Sequence, residues 1–169
     1  MRVISLGRSP LMIHGILSGF KKNGYEVGHF PHRSWLKFDS DKGSEYLEKD
    51  FINTRPDYLI FGGYGPGYFN IIPNLCKKYD ARFIYWAIED PIGFNRTLFL
   101  AKGADYVFTT TKECIEKYTS ENVKSHLLTF ACNPDYHKKG KYNSNYDMDL
   151  AMAASFYRWK ARKKGYDPE

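Results

Sequence analysis

The stretch Phe83-Ile84-Tyr85-Trp86-Ala87-Ile88-Glu89-Asp90-Pro91 joins an unbroken run of apolar, β-favouring residues to two carboxylates and a proline. Without apolar–polar alternation, the run predicts a strand buried on both faces, as in the interior of a parallel sheet. Proline lacks the N–H that a ladder needs, so the strand stops before Pro91. Glu89 and Asp90 therefore belong to a carboxyl end, the edge at which open α/β sheets bind ligands. Two acids at that position are equally suited to capping the next helix.

The rest of the chain repeats the same unit. Val3–Leu6 reads as a strand that turns through Gly7-Arg8-Ser9-Pro10 into a helix, with Ser9 as N-cap and Pro10 at the first helical position. Leu11, Ile13, Ile16, Leu17 and Phe20 gather on one face of that helix, and Gly24 is its left-handed stop. A second strand covers 25–30, a loop 31–43 and a helix 44–54. A third strand over 58–61 ends in Gly62-Gly63-Tyr64-Gly65-Pro66-Gly67, where a backbone can approach a ligand closely. A helix over 73–79 leads to the opening strand, and a helix over 94–102, a strand over 104–111, a helix over 113–118 and a strand over 123–130 follow it. Six strands alternating with helices predict an α/β fold, a doubly wound parallel sheet of Rossmann-like, three-layer α/β/α architecture.

A chain of 169 residues has the length of one ordinary domain. The amino terminus lacks a signal-peptide pattern and no apolar run is long enough to span a bilayer, so a cytoplasmic protein with no membrane span is expected. Cys76, Cys114 and Cys132 are odd in number and far apart, which reads as reduced thiols serving as small core residues. The net charge of +6 is concentrated in 137–141 and 158–164. A basic tail of this kind is a solvated face more often than a nucleic-acid site, and no recognition motif accompanies it, so nucleic acid is disfavoured as a partner.

Several chemistries lack their residues. Arg8 stands where a dinucleotide fingerprint needs close-approach glycines, and the second strand ends in Gly28-His29-Phe30 without the ribose-binding acid. The chain has no G-K-[ST] for a P-loop and no G-x-S-x-G nucleophile elbow. Proline between His29 and His32 prevents a shared helical face, and no carboxylate or thiolate stands at ligand spacing, so no metal site is expected. What converges on one sheet edge is Arg8, Ser9, Gly63, Tyr64, Gly65, Glu89, Asp90, Thr109, Thr110 and Thr111. Carboxylates and hydroxyls suit sugar or alcohol hydroxyls, with Asp90 or Glu89 as candidate general base and arginine as an anion holder. The bland alternative is that the acids and threonines are helix caps.

Three phrases in order, 85–91, 104–110 and 127–137, together with 17–27, resemble the CgeB-like (spore maturation protein) family of GT-B glycosyltransferase-like proteins. The resemblance covers about residues 1–157. It implies that 1–133 is the GT-B amino-terminal, acceptor-side domain, that 134–148 is a linker, and that 149–169 begins a carboxyl-terminal donor domain or forms a helical extension. On this reading Asp90 and Glu89 are acceptor-contacting carboxylates, and Arg8, Ser9, Gly63, Tyr64, Gly65, Thr109 and Thr110 bind a small-molecule or glycan acceptor. Ala153 and Ala154 replace the family's valine-glycine, which weakens phosphate cradling there. No cofactor is expected in this chain, and a nucleotide-sugar is expected only with a complete second domain. The expectation is a truncated chain, a split gene product or a decayed relative that binds acceptor without transfer, with a missing donor domain as a partner. The alternative is a non-enzymatic Rossmann-like binding or interaction domain with a basic tail.

Overall fold

The computed structural model describes residues 1–7, 9–30, 40–63, 65, 67–138 and 140–141. The chain divides into two compact units, Met1–His137 and Lys138–Glu169, and the first holds every element described below. The expected strand or helix at 149–164 and most of the expected linker lie outside the described residues.

Six strands, β1 (Arg2–Ser5), β2 (Glu26–His29), β3 (Tyr58–Gly62), β4 (Arg82–Ala87), β5 (Tyr106–Thr109) and β6 (Ser125–Leu127), form one all-parallel sheet in the order β2-β1-β3-β4-β5-β6. The opening strand is β4. It is interior and buried from Phe83 to Ala87, as its unbroken apolar run requires. Strand order reverses between β1 and β3, which makes their carboxyl ends the switch point of the sheet.

The connection from β1 to β2 runs π-helical over Leu11–Leu17 and α-helical as α1 over Ser18–Lys22. The wider π turn changes which residues face inward. Met12 and Leu17 are buried, whereas a regular 3.6-residue period puts Ile13 inside. Gly24 ends this first helix at φ +83, in the left-handed region. Helices α2 (Ser40–Thr54), α3 (Ile72–Lys78), α4 (Phe94–Lys102) and α5 (Glu113–Ser120) serve the other four connections. A 3-10 turn at Gly67–Ile71 precedes α3. Helix α2 begins at Ser40, earlier than the glycine-marked start expected at 44, while 31–39 lies outside the described residues.

Reversal of strand order sorts the helices between faces, because each right-handed crossover lies on the side set by its direction. One face packs Ile4, Leu59, Phe83, Tyr85 and Val107 against Phe51, Ile72, Leu100 and Tyr118 from α2–α5. Val3, Ile60 and Ile84 on the opposite face pack against Met12 and Leu17 of the first helix, with Trp86 of the same strand register beside Phe108. Together these layers make the three-layer α/β fold. Beyond β6, residues 128–137 return to the first helix. Trp86 Nε1–H donates to Leu128 O at 2.9 Å, and the Trp86 and Phe130 rings lie 5.4 Å apart. Asn133 Nδ2–H donates to His14 O and to Ser18 Oγ, Lys22 pairs with Asp135, and His14 stacks on Tyr136 at 4.1 Å. No helix among the described residues is long and apolar enough to cross a membrane.

Candidate functional site

At the carboxyl edge the tips of β3, β4 and β5 are tied to one another. Gly63 follows β3 at φ +90, a backbone conformation that strains any residue with a Cβ. Its N–H donates to Trp86 O at 3.1 Å and its carbonyl accepts from Tyr85 Oη at 2.6 Å, so β4 holds the glycine loop from two directions. A Cβ on Gly63 would stand 3.9 Å from Glu89 Oε1, which places the Glu89 carboxylate beside the loop. Gly65 is exposed, and a Cβ there would run into the Phe69 ring.

Glu89 and Asp90 are neighbours with opposite surroundings. Glu89 is exposed and has no ion pair or side-chain hydrogen bond among the described residues. Asp90 is 8% exposed, and both of its carboxylate oxygens accept hydroxyls: Thr97 Oγ1–H at 2.8 Å and Thr109 Oγ1–H at 2.7 Å. Tyr118 Oη–H donates to Thr97 Oγ1 at 3.0 Å, and Thr111 Oγ1–H donates to the Asp90 carbonyl at 3.1 Å. Burial pushes the Tyr118 hydroxyl well above its ordinary range, and the Asp90 charge pushes the same way. Cys114 is likewise raised by burial first and by Asp90 second. The bond from Thr109, which is fully buried, clamps β5 to the tip of β4.

Among the residues expected at the site, then, Gly63, Glu89, Asp90 and Thr109 come together. Thr110 is half-buried beside them with its hydroxyl unpaired among the described residues. Ser9 Oγ accepts from Met12 N–H at 3.3 Å and so caps the first helix, and no contact joins it to the β4 tip. Arg8 and Tyr64 lie outside the described residues. Thr111, expected at this edge, joins the β4 tip through the Asp90 carbonyl, and Thr97, Tyr85 and Tyr118, which carry no motif, complete it. Thr97 sits within a helical pattern where only its burial reveals a role. Of the cysteines, Cys76 and Cys114 are buried as expected, whereas Cys132 is exposed in the segment after β6. No group of three or more His, Cys, Asp or Glu among the described residues could hold a metal ion.

A second concavity, lined by none of the expected site residues but sharing Trp86 and Leu128 with their hydrogen-bond partners, lies against the first helix. A cavity of about 600 Å³ opens between the first helix and residues 128–134, with Trp86 and Tyr25 among its lining. Its sequence signal is a pair of glycines, Gly15 and Gly19, four apart within a helix. Comparison with known proteins gives no matching family model and no curated protein that matches the chain.

Proposed function

We propose that Met1–His137 is an acceptor-side domain of a glycosyltransferase-like protein, which binds a hydroxyl-bearing small molecule or glycan at the carboxyl edge of its parallel sheet. The observation that carries this reading is the unpaired, exposed Glu89 carboxylate beside the positive-φ Gly63. A carboxylate there accepts a hydrogen bond from an acceptor hydroxyl and can act as its general base. Asp90 supports the site from below, because its oxygens are already engaged by Thr97 and Thr109. Sugar transfer would need a donor nucleotide-sugar held against this edge by a second domain, since positioning of both reactants in a closed cleft supplies much of the rate. Met1–His137 supplies the acceptor side of such a cleft.

The test is glycan binding by saturation-transfer NMR across a panel of neutral oligosaccharides. Glu89→Gln should weaken the best ligand about tenfold, the loss of one charge-assisted hydrogen bond, and leave the unfolding midpoint unchanged. Equal affinity of variant and parent would remove Glu89 from the site. The non-enzymatic alternative, a Rossmann-like binding domain, draws its support from the apolar cavity beside the first helix.

A further inference from the structure

We infer that the cavity between the first helix and residues 128–134 is a binding site for a neutral, apolar ring compound, separate from the carboxyl-edge site. Its volume of about 600 Å³ falls within the roughly 300–1,000 Å³ of small-molecule sites. Phe20, Tyr25 and Trp86 give it aromatic surface, and Ile16 and Leu128 add aliphatic surface.

Several polar groups around the cavity are already committed, while the Tyr25 and Thr129 hydroxyls have no side-chain hydrogen bond among the described residues. Trp86 Nε1–H is bound to Leu128 O, Asn23 Nδ2–H to Gly19 O at 2.9 Å, and Asn133 Nδ2–H to His14 O and Ser18 Oγ. Lys22, the one cationic side chain in the lining among the described residues, is paired with Asp135. A charged ligand would lose hydration without gaining a free counter-charge, so the lining selects a neutral one.

The first helix keeps this space open. A Cβ on Gly19 would meet nothing within 4 Å, and one on Gly15 would meet only Leu11 Cδ1 at 4.0 Å. No close packing therefore demands glycine at either position, and any larger side chain would project into empty volume. Residues 128–137 close the opposite side through the Asn133, Asp135 and Tyr136 contacts.

The experiment titrates the full 169-residue chain with N-phenyl-1-naphthylamine, a neutral fluorophore, and with 8-anilino-1-naphthalenesulfonate, which adds a sulfonate to the same rings. The neutral probe should bind saturably at one site, at least tenfold more tightly than the sulfonate. Gly19→Leu should weaken it at least tenfold, and Ala131→Trp, which fills the cavity from the exposed opposite wall, should do the same at an unchanged unfolding midpoint. Equal affinity for both probes, or parent-like binding by the folded filled variants, would overturn the proposal. Self-association of the chain that either variant abolishes would assign the cavity to a second copy and overturn it as well. Neither result bears on glycan binding at Glu89.

Discussion

Asp90 and Glu89 are adjacent in the chain and differ in burial and in hydrogen bonding. Each of the Thr97, Thr109 and Tyr118 hydroxyls has a single proton to give. Tyr118 donates to Thr97, and Thr97 and Thr109 donate to the two carboxylate oxygens of Asp90. Asp90→Ala removes the buried acceptor shared by Thr97 and Thr109, which keep the Phe94 carbonyl at 3.0 Å and the Thr111 carbonyl at 3.5 Å, and should lower stability by about 1–2 kcal/mol in urea unfolding. Asp90→Asn keeps one carbonyl oxygen and should cost less while retaining the fold. Glu89→Gln, at an exposed position, should stay within about 0.5 kcal/mol of the parent. A parent-like Asp90→Ala would mean that the threonine hydroxyls find other partners.

At the scale of elements, glycines with different surroundings carry opposite predictions. Gly19 lies within the first helix with open space at its Cβ position, so Gly19→Ala should raise stability by roughly 0.5–1 kcal/mol through helix propensity alone. Gly103 ends α4 where a Cβ would fall 2.9 Å from Pro73 Cβ and closer still to its Cγ. A stiff proline ring cannot yield as a flexible side chain does, so Gly103→Ala should cost about 1–3 kcal/mol. Differential scanning calorimetry of the two variants should show midpoints displaced in opposite directions. Both helices were legible as periodic apolar runs ended by glycine, and the expected span of 94–102 coincides with α4. The π winding over Leu11–Leu17 was not legible, because a helical period from sequence assumes one turn size and tertiary packing chose another.

For the whole molecule, the protonated groups of the large core set the alkaline limit. Burial, with a smaller push from Asp105, raises the Cys76 thiol from 9.0 to about 12. Tyr85 and Tyr118 are raised above their ordinary value of 10.0, first by burial. In the unfolded chain these groups release protons at their ordinary pKa, while the folded chain still holds them. Stability is therefore fully present below about pH 9 and falls as pH rises towards the folded values. Urea midpoints between pH 8 and 11 should show that decline, and Cys76→Ala should make its first part shallower. A flat profile would mean that the thiol and phenols ionise equally well when folded.

The sequence by itself determined the alternation of strands and helices, the burial of β4 and the placing of Glu89 and Asp90 at its carboxyl tip. Those features follow from period, branching and proline, which act over a few residues. Only the tertiary structure decided that Asp90 turns inward to Thr97 and Thr109 while Glu89 stays in solvent. It also decided that residues 128–137 fold back over Trp86 and form one wall of an open cavity against the first helix. Hydrogen bonds between residues 19 to 119 positions apart depend on which strands become neighbours. That choice rests on the packing of the two sheet faces as a whole.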